Sequence, residues 1–170
     1  MYILGIDPGI SGGLAVVDSR DLSLRAWIRM PQHHLRKKRI VDARAVMKFM
    51  ANYNGSRYGG GQEVTRDDVI GWVIIEAVHA MPRQGVSSSF SFGRSTGAVE
   101  ALALAHFERV DWVSPRVWKQ HFGLGSEKRA SLDTATLLFG QHLKDFILAD
   151  DGIAEAALIA RWFIDVRLGK

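Results

Sequence analysis

An apolar run, Tyr2-Ile3-Leu4-Gly5-Ile6, ends at Asp7, passes through Pro8-Gly9-Ile10-Ser11-Gly12-Gly13 and resumes as Leu14-Ala15-Val16-Val17. Two runs this short and this apolar, joined by so few turn-forming residues, read as neighbouring strands buried in one sheet. Residues 23–30 continue the pattern beyond the breakers Ser19-Arg20-Asp21, so the chain opens as an antiparallel meander of three strands. The same feature strands an acid at the end of the first strand. A carboxylate held between hydrophobic strands carries a desolvation cost of several kcal/mol unless something positive or hydrogen-bonding meets it. Asp, Pro and Gly are also ordinary turn residues, so Asp7 acquires a functional meaning only in the company of the chain's other acids.

Downstream, Val41, Ala45, Val46, Phe49 and Met50 fall at helical spacing, while the Gly-rich and polar residues 52–61 read as a loop. Strand signal returns at residues 69–75 and stops at Glu76. After a loop over residues 79–89, a helix is predicted over residues 90–107, with the small residues Gly93, Gly97 and Ala101 along one face. That face could pack on the protein's own sheet or on a second protomer. A short strand at 110–113 precedes a helical turn opened by Ser114-Pro115 and running through Trp118 and Phe122. Residues 128–139 and 151–168 read as two more helices, the last with the apolar stripe Ile153, Ala157, Ala160, Ile164 and Leu168. Three meandering strands and a helix, then strands alternating with helices, describe an α/β mixed sheet flanked by helices. The order, an antiparallel meander plus parallel strands, favours a ribonuclease H-like fold.

At 170 residues, 47% of them hydrophobic, the chain suits a single domain with a substantial core over residues 1–170. Lys and Arg number 22 against 18 Asp and Glu, a formal net charge of +4. Acids gathered at one site would leave the remaining surface more basic still, which suits a polyanionic partner. With no cysteine there are no disulfides, thiolate metal sites or cysteine nucleophiles. The opening lacks the charged head and cleavage pattern of a signal peptide, and no 18-residue stretch is free of charge. A soluble intracellular protein with no membrane partner is expected.

Glu76 ends its strand as Asp7 ends the first, so if those strands are neighbours both carboxylates emerge at one sheet edge, where α/β folds place their sites. In the last helix Asp151 and Glu155 stand four residues apart and share a face, whereas Asp150 points roughly 100° away from Asp151. Acids near a helix start also favour its dipole while facing solvent. As a pair on an Ala-rich helix that must pack on a sheet already carrying two acids, they read as metal ligands. An all-oxygen donor set suits magnesium or manganese rather than zinc. Two such ions about 3.5–4 Å apart serve an in-line displacement at phosphorus, which is nuclease chemistry. His79 and His121 are candidate helpers.

Three segments, Ile3-Leu4-Gly5-Ile6-Asp7-Pro8-Gly9, Ile74-Ile75-Glu76 and Asp151-Gly152-Ile153-Ala154-Glu155-Ala156-Ala157-Leu158, resemble the RuvC Holliday-junction resolvases, over residues 1–162. The stretch from Met81-Pro82-Arg83-Gln84 to Phe92-Gly93-Arg94 is similar to the phage and chloroplast-type branch. The resemblance implies that Asp7, Glu76, Asp151 and Glu155 bind two magnesium or manganese ions and act in catalysis. It implies further that Lys119, in Ser114-Pro115-Arg116-Val117-Trp118-Lys119, and Lys128, in Gly125-Ser126-Glu127-Lys128, approach scissile-strand phosphates. The bacterial branch closes with two Asp three apart, whereas this chain has Asp151 and Glu155 four apart. Arg83 and Arg94 are expected on the DNA. The run Arg36-Lys37-Lys38-Arg39 reads as a solvated loop whose cations, Lys37 and Lys38, could grip a second DNA arm.

The expectation is a metal-dependent endonuclease that recognises four-way DNA junctions by shape and cuts two opposed strands, with no small-molecule cofactor. Symmetric cutting needs two sites, hence a two-fold homodimer. The expected location is the cytoplasm or nucleoid, a phage-infected cell or an organelle. A junction-binding module that has lost cleavage is a second reading, although clustered acids serve a phosphate binder badly. A sugar-kinase-like or actin-like ATPase is a third, since Asp7-Pro8-Gly9 resembles a phosphate-facing loop, but it would need two such domains around a cleft.

Overall fold

The computed structural model describes residues 1–35, 38–53, 69–79, 85–125, 127–140 and 151–170. Seven strands and five helices are described: β1 (Tyr2–Asp7), β2 (Gly13–Asp18), β3 (Leu24–Arg29), β4 (Gln32–Leu35), β5 (Lys38–Val41), α1 (Ala43–Ala51), β6 (Ile70–Glu76), α2 (Val86–His106), β7 (Val110–Val113), α3 (Pro115–His121), α4 (Lys128–Phe139) and α5 (Asp151–Arg167). Five strands form one sheet in the order β3-β2-β1-β6-β7. The pairs β3/β2 and β2/β1 are antiparallel, β1/β6 and β6/β7 parallel. This is the ribonuclease H-like mixed sheet expected from the element order.

Alternation along β1 sorts its side chains between two cores, as a central strand covered on both faces requires. Ile3 faces α5 with Val17, Ile74, Leu158 and Phe163. Leu4 and Ile6 face α1 and α2 with Val16, Val73, Val46, Met50 and Val99. Gly5 lies beneath α5, where an added Cβ would overlap the Ala156 carbonyl oxygen and come within 2.8 Å of the Ala160 nitrogen. A methyl group there would lift the helix off the sheet. At the sheet's other edge Asp18 takes Arg20 at 2.7 Å and Arg25 at 3.0 Å, pairs that hold its carboxyl well below the usual carboxylate range and close the β2–β3 turn.

Three features differ from the sequence reading. Residues 32–35 and 38–41 pair as an antiparallel hairpin, so Lys38 and Arg39 lie on a strand rather than in a solvated loop. Every residue of β4 is exposed, so no apolar alternation marks it. Val41 ends β5 instead of opening a helix; Asp42 caps α1, its Oδ1 accepting the Ala45 N–H at 3.1 Å. Helix α2 begins at Val86 rather than Phe90, because Ser87, Ser88 and Ser89 carry no apolar signal. The loop expected over residues 52–61 lies mostly outside the described residues. No described helix is long and apolar enough to cross a membrane.

Candidate active site

Asp7 closes β1 and Glu76 closes β6, and these central strands run parallel with Ile6 beside Ile75. Both carboxylates therefore leave the sheet at one edge. Glu76 is 7% exposed; Asp7 is part-buried, and its Oδ1 accepts the Gly9 N–H at 3.2 Å. Helix α5 crosses the same edge. Its start is fixed by a bridge between Gly12 and Gly152, where a Cβ on Gly152 would meet the Ser11 carbonyl oxygen at 2.5 Å. Only glycine lets the backbone after Asp7 touch the backbone after Asp151. From Gly152 to Ala160 every residue of α5 is buried except Glu155, one turn beyond Asp151.

Two consecutive residues of α3 hold two different acids. Trp118, fully buried, donates its indole N–H to Glu76 Oε1 at 2.9 Å. Lys119 donates from Nζ to Glu155 Oε1 at 2.9 Å, and Ser131 on α4 donates its hydroxyl to the same oxygen at 3.2 Å. The Lys119 ammonium lies 5.0 Å from the Trp118 ring centre, a cation–π placement. Sequence reasoning found Lys119 but missed Trp118 and Ser131 as site residues. A Trp one place before a Lys at a helix start reads as core, and a Ser one turn after Lys128 carries no signal.

Burial first, then the charges of Glu76, Glu155 and Asp151, push Asp7 up to about 7 against the lowering effect of the Gly9 N–H. Burial, aided by Glu155, also raises Glu76, while the Trp118 N–H and Lys119 pull it down. Four acids thus share one neighbourhood, in which Lys119 pairs with Glu155. Carboxyls with raised pKa values hold protons until a cation replaces them, and the oxygen-only donor set fits a hard divalent ion. Among the described residues no three His, Asp or Glu side chains already stand at metal-holding spacing. Glu155 is turned to Lys119 and Ser131 instead.

Lys128 opens α4 one turn ahead of Ser131. His121 Nε2 lies 2.9 Å from Asp165 Oδ2, an acid that also takes Arg161 at 2.6 Å. Asp165 is about 15 Å along α5 from Glu155 at 1.5 Å per residue, so His121 ties α3 to α5 away from the acids. His79 is exposed just past β6. Arg94 lies on the outer face of α2 with its guanidinium 5.9 Å from the Phe90 ring centre. Lys38 reaches Ser87 Oγ at 3.0 Å, joining the hairpin to α2. Lys37, Arg83 and Asp150 lie outside the described residues.

Solved structures that share this fold include two of RuvC. T. thermophilus RuvC in complex with Holliday junction substrate is 18% identical with a TM-score of 0.64, over 99% of this chain and 96% of that one. A second Thermus thermophilus RuvC structure is 19% identical with a TM-score of 0.58, over 99% and 97%. No family model matches the sequence, and no curated protein does.

Proposed function

We propose that the chain is a RuvC-type crossover junction endonuclease, a single nuclease domain over residues 1–170 that resolves four-way DNA junctions by paired, metal-dependent phosphodiester hydrolysis. The observation that carries this reading is the gathering of Asp7, Glu76, Asp151 and Glu155 at one sheet edge, on a fold shared with a RuvC bound to a Holliday junction. Asp7, Glu76, Asp151 and Glu155 would hold two magnesium or manganese ions. When bound, such ions activate water and stabilise charge on the leaving oxygen. Trp118 fixes the Glu76 carboxylate, and Ser131 orients Glu155. Lys119 exchanges its contact with Glu155 for the scissile-strand phosphate, joined by Lys128, while Lys37, Lys38, Arg83 and Arg94 contact the DNA arms.

The same reading asks for a homodimer. Phe90 and Leu104 on α2 are 63% and 58% exposed, and added Cβ atoms on Gly93 and Gly97 between them would meet none of the described residues within 4 Å. The small residues of α2 thus point away from the protein's own sheet, which supports the protomer-packing use of that face. An enzyme of this kind works on DNA in the cytoplasm or nucleoid. An actin-like ATPase fragment is disfavoured because one domain spans nearly all of RuvC's length.

The test incubates the protein and magnesium with a synthetic four-way junction beside linear duplex, splayed Y and RNA–DNA hybrid controls. Paired nicks confined to the junction, lost in excess chelator and weak in calcium, are expected. Tight junction binding without nicks selects the catalytically inert binding module. Equal cutting of linear duplex, or full activity in chelator, rejects the assignment.

A further inference from the structure

A cleft of about 420 Å³ separates the β4–β5 hairpin from the opening turns of α2. Its walls include Lys38, Arg39, Ser87, Ser88, Ser91 and Ile10. The chemistry is one-sided: two cations and four serine hydroxyls, those of Ser87, Ser88, Ser91 and Ser95, with no carboxylate among the described lining residues, and no acid in the first turn of α2. Lys38 and Arg39 are exposed, as are Ser87 and Ser88, so the cations face solvent rather than a buried partner. Lys38 Nζ is held 3.0 Å from Ser87 Oγ, a neutral contact that positions the ammonium without cancelling its charge. Arg39 reaches Gln32 Oε1 at 3.4 Å, and Gln32 donates in turn to the Ile10 carbonyl.

Ile10 belongs to the loop that follows Asp7, so the hairpin is tied to the backbone that carries the first acid. The cleft therefore shares Ile10 with the loop that follows Asp7, yet it bears the charge opposite to that of the acids. A phosphodiester matches it: cations supply charge-assisted hydrogen bonds to its oxygens, hydroxyls donate further ones, and no acid repels it.

We propose that this cleft seats the backbone of a DNA strand one or more phosphates away from the cut, so that hairpin and α2 together fix the register in which the strand meets the acids. The identity of the strand rests on the endonuclease reading; the anion chemistry of the cleft does not. A free phosphate would satisfy the same groups, so the experiment separates the two sources.

The full chain is compared with a Lys38→Ala, Arg39→Ala double variant, with Ser91→Asp, and with Lys48→Ala on α1 as a surface control. Junction affinity is read by fluorescence anisotropy across salt concentration in calcium, and nicking in magnesium on the same preparations. The amides of Ser87 and Ser88 are followed by NMR during titration with inorganic phosphate and with a tetranucleotide of DNA. The double variant should flatten log affinity against log salt by about two units, roughly one per phosphate cation. Ser91→Asp should weaken junction binding about tenfold, whereas Lys48→Ala should keep the parental slope. The tetranucleotide should move the Ser87 and Ser88 amides at lower concentration than phosphate does. Parental slope and affinity in the cleft variants overturn the proposal, and with normal nicking by the parent they leave the endonuclease reading intact. Amides moved by phosphate alone mark a free-anion site and overturn the strand assignment. A parent that never nicks, with the slope and amide shifts as expected, removes the endonuclease reading and supports the seat.

Discussion

Trp118 and Glu76, on α3 and β6, meet through an indole N–H held 2.9 Å from Oε1. The contact stabilises the ionised acid against its burial without adding a charge, and it leaves Oε2 available to a cation. Lys119, next along α3, holds Glu155 Oε1 at 2.9 Å by a donor that does carry a charge. Helix α3 is therefore the brace that sets the spacing between the acid of the sheet and the acid of α5.

Trp118→Phe removes the donor and keeps most of the ring. Nicking at fixed magnesium should fall about tenfold and the magnesium concentration for half-maximal rate should rise, with junction affinity unchanged. Leaving a buried acceptor unpaired costs about 1–3 kcal/mol, readable in urea unfolding. An unshifted magnesium requirement would reduce Trp118 to a core residue.

Asp7→Asn, Glu76→Gln and Glu155→Gln should each abolish nicking while junction binding holds or tightens. Each removes negative charge and a proposed ion ligand but no cation proposed to grip DNA. Gel shifts and nicking on one preparation check this; parallel loss of binding in all three, with normal folding, would count against a metal role.

Asp7 gives a pH signature. Its pKa rises from 3.8 to about 7 in the fold, so between those values the native state keeps a proton that the unfolded chain has released. Metal-free stability should therefore fall as pH rises through that window. Asp7→Asn removes the titration and should be the more stable protein at about pH 8, on the order of 2 kcal/mol after allowing for residual solvent access, with the gap closing below about pH 4. Magnesium at pH 8 should raise the melting temperature of the parent more than that of the variant.

Phe90→Asp places a charge on the exposed face of α2. The expected outcome is a monomer by light scattering, with single nicks replacing paired ones. A parent that is itself monomeric at micromolar concentration would remove this face as the dimer contact.

Much of the candidate site could be read before the fold was known, because three of its four acids end an apolar run or interrupt one. Asp7 and Glu76 each close a strand, and Glu155 breaks a nine-residue buried stretch of α5. What stayed hidden depends on contacts between elements. The exposed β4–β5 hairpin leaves no periodic trace. Gly93 and Gly97 announce a close approach without saying to what. Trp118 acts through an atom whose partner lies on another element, and Lys37 and Arg83 fall outside the described residues.

The bridge between Gly12 and Gly152 joins segments with most of the sequence between them. Closing so long a loop carries an entropic cost that local contacts do not, so bringing the acids of β1 and α5 together depends on the intervening chain being folded. A chain still being synthesised, or one cut ahead of Asp151, carries two of the four carboxylates and no enclosure for them. On the endonuclease reading proposed above, cutting would then require the whole fold, and a chain ended before Asp151 should not nick DNA.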